Sequence, residues 1–227
     1  MKTEELKKLE YEHVLPYLTK KERFRILKLG EWENSEFLAL RKYPLPKNSS
    51  VLELGACTGI FAAYVNSIID GNHLVVEANP EMIPCIEQTK KANNCDFDIL
   101  NCVAGPSGST TFYINEFRLG SSIAVPQQDG GFKPATVDSV SLSDLNPSEK
   151  FNVLICDIEG GEYDLRDQFP AEFASFEKIY IETHKIHKHL YKGGWRRHAK
   201  FIRSIKKTHT VTEITSASPG HYYMERK

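Results

Sequence analysis

The chain has 227 residues, with 29 lysines and arginines against 30 aspartates and glutamates, so its formal net charge is −1 at pH 7. This length suits one α/β domain with a single core better than two domains. The near-zero charge predicts no general attraction to nucleic acid or to a membrane surface. The sequence lacks an apolar run of the ~18 residues that span a membrane, and its charged N-terminus lacks a signal-peptide core. We therefore expect a cytoplasmic protein with no membrane partner.

The predicted elements begin with a helical extension. Residues 1–46 carry apolar side chains at helical spacing, and Thr19 and Glu22 fit a capping box. Pro44 ends the last of these predicted helices. We therefore predict a helical N-terminal extension over 1–46 and one domain over 47–227.

The first strand and the turn after it have the pattern of a cofactor site. Val51–Leu54 is apolar apart from Glu53, which predicts a buried parallel strand, and a helical pattern begins after Gly55 and Gly59. A strand, a glycine turn and a helix let a ligand approach bare backbone at a helix N-terminus. The next predicted strand ends in Glu77, about 20 residues further on, where a carboxylate can hold both hydroxyls of a ribose. The alternative is a turn with a purely structural role.

Two residues distinguish this turn from a dinucleotide site. Cys57 stands where G-x-G-x-x-G has its second glycine, and Glu53 places a negative charge near the position of a pyrophosphate. S-adenosylmethionine carries an ammonium, a sulfonium and a ribose but no phosphate, so we expect it as the cofactor. Glu77 should contact the ribose and Glu53 the ammonium. The methionine moiety should lie on the turn Gly55, Ala56, Cys57, Thr58 and Gly59.

The third predicted strand supplies the expected adenine pocket. A helix is predicted near 81–92, followed by a strand over 96–103. Asn101 and Cys102 lie at the carboxyl end of this strand, where an adenine ring fits an open α/β sheet. An ordinary strand end is the alternative for these two residues.

A long loop follows in the middle of the chain. Short strands are predicted at 110–114 and 135–142. Between them, 117–134 has no periodicity, and long loops in compact domains often carry function. We expect this loop to cover the substrate, with Ser121 and Ser122 as contacts.

Ionisable residues follow two further predicted strands. Asp157 comes after the strand at 151–156, and Glu182 and His184 follow the strand at 178–181. The carboxyl ends of parallel strands share one edge of a sheet. Buried acids are costly unless they are paired, so packing alone does not explain them there. We therefore expect one functional rim, with helix caps and salt bridges as the alternative: Glu53, Glu77, Asp157, Glu182 and His184.

The C-terminal part predicts a basic helix and a hairpin. The segment 185–207 is rich in lysine and arginine and contains no acid, and part of it has a buried helical face. The strands 211–214 and 221–224 should close the sheet as an antiparallel hairpin.

Four motifs of this chain resemble the FkbM-type methyltransferase family. The first is similar to the acidic-x-G-A-N-x-G turn of that family, the second to its E-P-N-P, and the third to its D-V-E-G-x-E. The segments that carry the resemblance are Glu53–Gly59, Glu77–Pro80, Asp157–Glu162 and Ile181–His184. In this chain Cys57 replaces the usual asparagine and Ala78 the usual proline.

The resemblance implies both a fold and an activity. The fold is a single Rossmann-like class I methyltransferase domain of the α/β class. Its mostly parallel seven-stranded sheet has the strand order 3-2-1-4-5-7-6 and an antiparallel terminal strand. The activity is transfer of a methyl group from S-adenosylmethionine to a hydroxyl of a small molecule or sugar. The resemblance also adds Ala78 and Glu33 to the expected cofactor contacts, although charged residues such as Glu33 also occur in ordinary helix junctions.

Methyl transfer to a hydroxyl needs a group that removes the proton of the acceptor. His184 is the candidate base, because an unperturbed histidine titrates near 6.5 by reference values. Asp157 or Glu182 could orient it, Asp157 could instead contact the methionine end of the cofactor, and Glu159 could bind a substrate hydroxyl. A surface histidine without a role is the alternative.

Three other hypotheses stay open at this stage. Asp157, Glu182 and His184 could hold Mg²⁺, which the sequence does not favour because motif matches alone overcall metals. RNA 2′-O-methylation could use the basic segment 185–207, although no aromatic stacking platform is evident. The third hypothesis is a cofactor-binding protein without catalysis.

Overall fold

A computed structural model describes residues 6–30, 32, 34–115, 121–123, 131–184, 194–215 and 220–227. The strands are β1 Val51–Leu54, β2 His73–Glu77, β3 Asp98–Asn101, β4 Val103–Ala104, β5 Gly108–Asn115, β6 Phe132–Val140, β7 Val153–Cys156, β8 Lys178–Thr183, β9 His209–Thr215 and β10 Gly220–Arg226. The α-helices are α1 Lys20–Phe24, α2 Asn34–Lys42, α3 Ile60–Ile68, α4 Ile83–Ala92, α5 Leu142–Leu145, α6 Glu162–Gln168, α7 Pro170–Ser175 and α8 Gly194–Ile205. No helix in the described parts of the chain is long and apolar enough to cross a membrane.

The main sheet has seven strands in the order β3-β2-β1-β7-β8-β10-β9. Numbered within this sheet alone, the order is 3-2-1-4-5-7-6, so the predicted Rossmann-like topology is confirmed. The pairs from β3 to β8 are parallel, and β10 is antiparallel to both of its neighbours. All residues of β1 and β7 are buried, because a central parallel strand has helices or loops over both of its faces.

A second sheet has three strands in the order β4-β6-β5. Its residues Val103, Ala104 and Phe112 line a cavity together with residues at the carboxyl ends of the main sheet. The sequence predicted one strand over 96–103, but the chain leaves the main sheet at Cys102 and pairs with β6 from Val103. The loop was predicted to run from 117 to 134, but β6 already begins at Phe132. The sequence did not predict this start of the strand, because proline is disfavoured in paired strands and Pro134 lies here. In the structure Pro134 lies in a part of β6 that pairs with β5 on one side only.

The N-terminal segment packs on the main sheet as a layer of its own. The predicted capping box is present: Thr19 Oγ1 accepts from Glu22 N at 3.3 Å, and Thr19 N donates to Glu22 Oε2 at 2.7 Å. Short helical turns before and after it bury their apolar side chains in the same cluster as β1, α3 and β7. This cluster includes Leu6, Val14, Ile26 and Phe37 from the extension and Val51, Ile60 and Val153 from the sheet layer. The predicted extension 1–46 therefore shares a hydrophobic core with the predicted domain.

Replacing Gly55 tests how closely β1 and β7 approach at their carboxyl ends. Its φ is +87°, and a Cβ there would lie 1.7 Å from the carbonyl oxygen of Asp157. Gly108 is the matched control, because its φ is +139° but a Cβ there meets nothing within 4 Å. We expect Gly108→Ala to cost about 1–3 kcal/mol of backbone strain and Gly55→Ala clearly more, measured by urea unfolding. Equal losses of unfolding free energy would show that the close approach is absent.

Candidate functional site

The carboxyl ends of the parallel strands open into a cavity of about 230 Å³. The second sheet forms its far wall. Several predicted site residues line this cavity: Gly55, Cys57, Glu77, Ala78, Cys102, Ser121, Asp157 and Glu159. A smaller cavity of about 60 Å³ lies beside it and shares Gly55, Cys57 and Asp157 with the first. Residues far apart in the sequence therefore meet at one edge of the sheet.

The glycine turn is tied to the end of β2 by Glu77. Cys57, at a φ of 52°, donates its backbone N–H to Glu77 Oε2 at 2.8 Å. The N–H of Asn79 donates to Glu77 Oε1 at 2.7 Å. Each carboxylate oxygen is thus held by an amide, while the side chain still lines the larger cavity. Oxygens fixed in this way can accept further hydrogen bonds from a diol.

Burial raises the pKa of Glu77 to about 7, against the hydrogen bonds from Asn79 and Cys57, which favour the charged form. The charge of Glu159 adds to the rise. Glu77 therefore titrates near neutral pH.

The side chain of Asn101 contacts the backbone at the end of β2 and does not line the larger cavity. Its Nδ2 donates to the carbonyl oxygens of Glu77 at 2.7 Å and Ala78 at 3.2 Å. Cys102 does line the larger cavity, together with Val103 and Ala104 of β4. Sequence reasoning missed most of this apolar wall, because Phe112 and Ile123 reach it only through the second sheet.

The remaining residues of the predicted turn have different surroundings. Glu53 Oε2 lies 3.0 Å from His73 Nε2, and Glu53 and Ala56 line the smaller cavity only. Thr58 and Gly59 pack against α4 instead of lining a cavity among the described residues. The Thr58 carbonyl accepts from Thr89 Oγ1 at 2.7 Å, and a Cβ on Gly59 would lie 3.2 Å from Ile86.

Four carboxylates surround the imidazole of His184. Its Nδ1 lies 2.9 Å from Glu162 Oε1. On the other side of the ring, Nε2 lies 3.1 Å from Glu159 Oε2, 3.4 Å from Glu182 Oε1 and 3.8 Å from Asp157 Oδ1. The ring is buried, with 4% of its side chain exposed. The predicted catalytic residues Asp157, Glu182 and His184 are therefore brought together.

The pKa of His184 is not the ordinary one that the sequence suggested. Burial favours the neutral ring, but the charge of Glu162 and the hydrogen bonds with Glu159 and Glu162 outweigh it, so the pKa lies well above its usual value. An imidazolium has no lone pair to accept a proton. In that protonated form the ring cannot serve as the base, so the reference value near 6.5 that favoured His184 does not apply to its pKa here.

A second histidine extends the cluster to the N-terminal layer. His221 Nε2 lies 2.7 Å from Glu182 Oε2 and 3.5 Å from Glu36 Oε1. Burial alone would lower its pKa, but the hydrogen bonds with Glu182 and Glu36 raise it to about 9. Sequence reasoning missed both residues, because β10 gave only a hairpin pattern and α2 only a helix pattern.

The loop residues Ser121 and Ser122 meet the cluster from the second sheet. Ser121 lines the larger cavity, and its Oγ accepts from Asn115 N at 3.0 Å. Ser122 Oγ donates to the carbonyl oxygen of Glu159 at 3.0 Å. Glu159 has a φ of 50°, in a loop that directs its carboxylate to His184. The predicted contact Glu33 and the residues 185–193 of the basic segment lie outside the described residues.

Solved methyltransferase structures share this fold. A Klebsiella pneumoniae protein proposed to be an O-methyltransferase aligns with a TM-score of 0.56 at 11% identity, over 100% of this chain and 91% of that one. A dimethyladenosine transferase from Plasmodium falciparum aligns with a TM-score of 0.56 at 10% identity, over 87% of this chain and 62% of that one. A precorrin-6y C5,15-methyltransferase from Geobacter metallireducens aligns with a TM-score of 0.52 at 12% identity, over 88% of this chain and 91% of that one.

These identities establish the fold alone. This chain spans less than two thirds of the length of the Plasmodium enzyme. No protein-family model matches the sequence, and no curated protein matches it either. The function therefore has to be argued from the cavities and their side chains.

Substitution of Glu77 should change how stability depends on pH. Between 4.5 and about 7 the folded protein keeps a proton on Glu77 that the unfolded chain has lost. The free energy of unfolding should therefore fall as pH rises through this window, by about 3 kcal/mol for this group. In Glu77→Gln that contribution disappears, so the stability of the variant relative to wild type should increase with pH. Urea unfolding at a pH below and a pH above this window measures the difference in unfolding free energy between variant and wild type. The control is Glu87→Gln, at an exposed position of α4, which should show the same pH dependence of stability as the wild type.

Proposed function

We propose that this chain is an S-adenosylmethionine-dependent O-methyltransferase that acts on a hydroxyl of a small molecule or sugar. The observation that carries the proposal is the carboxylate of Glu77, held by the amides of Cys57 and Asn79 at the edge of the larger cavity. A ribose diol can donate to both oxygens of such a carboxylate. The shared fold with methyltransferases supports the same conclusion.

The charge of the cavity favours this cofactor over a dinucleotide. Glu77, Asp157 and Glu159 line the larger cavity, and no basic side chain does so among its described lining residues. A pyrophosphate would be repelled there, whereas a sulfonium and an ammonium would be stabilised. Ala78, Met82, Cys102 and Val103 provide an apolar surface beside Glu77 on which an adenine can lie.

The bare backbone of the glycine turn suits the methionine end. Gly55 and Cys57 line both cavities, so the two cavities adjoin at the turn. Glu53 faces the smaller cavity and is a candidate partner for the ammonium. Asp157 also lines both cavities, so it is a candidate contact for the methionine end of the cofactor or for the acceptor.

The membership of the FkbM-type family is part of the proposal. Its support is the four motifs of the sequence and their positions in the fold. The first motif forms the turn after β1, the second follows β2, the third follows β7 and the fourth ends β8. In a parallel sheet these are the loops that form the binding crevice. The family resemblance in turn implies a hydroxyl acceptor.

The chain has to align the acceptor and receive its proton. When bound, the cofactor supplies an electrophilic methyl group. Asp157 and Glu159 line the cavity and can accept a hydrogen bond from the acceptor hydroxyl. The surrounding carboxylates hold the pKa of His184 above its usual value, so we assign the ring to holding Asp157, Glu159 and Glu182 in place.

RNA is a weaker candidate for the acceptor. The described part of the basic segment forms α8, where Trp195 is 62% exposed and could stack on a base. However, Arg197 pairs with Asp164, and Lys200 Nζ lies 3.8 Å from Asp167 Oδ2. These acids of α6 offset part of the positive charge that RNA binding requires.

Calorimetry with S-adenosylmethionine tests the cofactor assignment. We expect the wild-type protein to bind it and Glu77→Gln to bind at least ~10-fold more weakly, because each lost hydrogen bond to a carboxylate costs about 1.5–3 kcal/mol. Glu87→Gln should bind as the wild type does. Tight binding of NADH in its place, or unchanged affinity in Glu77→Gln, would overturn the assignment.

A methyl-transfer screen tests the acceptor class. Radiolabelled S-adenosylmethionine would be incubated with the protein and with sugars, nucleosides or capped RNA. We expect product with a sugar or another small hydroxyl compound. Product with capped RNA alone would favour the RNA hypothesis. Cofactor binding without any product would favour a binding protein without catalysis.

A further inference from the structure

The carboxylates around His184 outnumber the imidazoles that could balance them. Glu162 and Glu159 contact the ring of His184, Glu182 lies between both histidines, and Glu36 contacts His221. Asp157 adds a further carboxylate. Burial and the neighbouring carboxylates raise the pKa of Asp157 well above its usual value, and burial raises the pKa of Glu182. Buried carboxylates are costly without a cation, so the cluster is suited to bind one.

Three ligand atoms of this cluster already lie within reach of one ion. One carboxylate oxygen each from Asp157 and Glu182 and one ring nitrogen of His184 lie within 4.8 Å of one another. These residues follow β7 and β8, neighbouring strands whose carboxyl ends meet at the cavities. Carboxylate oxygens and an imidazole nitrogen together form a donor set that a divalent first-row cation accepts.

The contact on Nδ1 of His184 also indicates a metal ligand. Glu162 has no exposed surface, and its Oε1 lies 2.9 Å from Nδ1 of His184. A histidine that binds a metal through one nitrogen usually donates the other N–H to a carboxylate, which fixes the ring and makes it a better ligand. Glu162 provides that contact and leaves Nε2 directed at Glu159, Glu182 and Asp157.

Two buried carboxylate oxygens of the cluster have no hydrogen-bond partner among the described residues. Asp157 Oδ1 is buried and has no hydrogen-bond partner among the described residues, although it lies 3.8 Å from His184 Nε2. Glu162 Oε2 is also buried without such a partner in the described part of the chain. Buried polar atoms are usually hydrogen-bonded or bound to an ion.

We propose that Asp157, Glu182 and His184 form a binding site for a divalent cation such as Mn²⁺. Nε2 of His184 would supply the nitrogen ligand, while Glu162 keeps the ring in place. Asp157 lines both cavities and Glu182 lines the smaller one, so a bound ion would lie beside the space that a ligand can occupy. This proposal rests on the proposed function for its role, which is to hold the acceptor hydroxyl and favour its deprotonation.

A neighbouring set of residues is the competing location. Glu36, Glu182 and His221 also have ligand atoms within 4.8 Å of one another. There, however, His221 Nδ1 lies against the hydroxyl of Thr215 at 2.9 Å instead of a carboxylate. Both sets contain two carboxylates, but Glu159 and Glu162 also contact the ring of His184, so the electrostatic attraction for a dication is stronger there.

Titration of the metal-free protein with Mn²⁺, followed by electron paramagnetic resonance, tests the site without any activity measurement. We expect one Mn²⁺ per chain in the wild type. Asp157→Asn should bind more than ~100-fold more weakly, because outer contacts alone typically change metal affinity 10- to 100-fold. Glu36→Gln is the comparison variant and should weaken binding far less than Asp157→Asn does, because Glu36 lies beside His221 rather than beside His184. Circular dichroism should confirm that both variants are folded.

The other outcomes each have a defined meaning. No Mn²⁺ binding in the wild type, or equal affinity in Asp157→Asn, would overturn the proposal. Loss of binding in Glu36→Gln would also overturn it, since the ion would then depend on the neighbouring set. Calorimetry with S-adenosylmethionine on the same samples separates the two proposals. Cofactor binding without Mn²⁺ binding leaves the proposed function standing, and Mn²⁺ binding without cofactor binding leaves only the metal site.

Discussion

The contact between Gly55 and the backbone of Asp157 is the constraint on which this site depends. A side chain on Gly55 would collide with the Asp157 carbonyl, so the turn after β1 can lie against the loop after β7 only because glycine is there. Asp157 N in turn donates to the Leu54 carbonyl at 2.9 Å, which continues the pairing of β1 and β7 to the edge of the sheet. The close approach leaves both loops facing the same cavities. It also explains why the two cavities share their border at these residues.

The strand ends could be predicted from the sequence because parallel strands carry a clear local signal. Apolar runs marked β1, apart from Glu53, and β7, while an acid marked the end of β2 and the residue after β7. Glu77 and Asp157 were therefore found without any knowledge of their contacts. Glycines and a strand–turn–helix pattern are local features, so they can be recognised in a single sequence without structural information.

The second sheet and the second histidine could not be predicted, because their positions depend on long-range contacts. Cys102 leaves the main sheet only because β4 finds a partner in β6, more than thirty residues along the chain. His221 gives the pattern of a strand residue and acquires its role through Glu182 and Glu36, which come from β8 and α2. The pKa of His184 was misjudged for the same reason. Its reference value takes no account of Glu162, and the contact of Glu162 with the ring has no sign in the sequence.

A continuous chain of contacts connects the N-terminal layer to the edge of the sheet. It runs from Glu36 through His221 and Glu182 to His184, and from there to Glu162. Each imidazole lies between carboxylates, so the position of one group fixes that of the next. The extension thus supplies both a wall of the smaller cavity, through Glu36 and Ala39, and one end of this network. A boundary near residue 46 divides the sequence, but it does not divide the site, because the carboxylate of Glu36 belongs to the same charge cluster as that of Asp157.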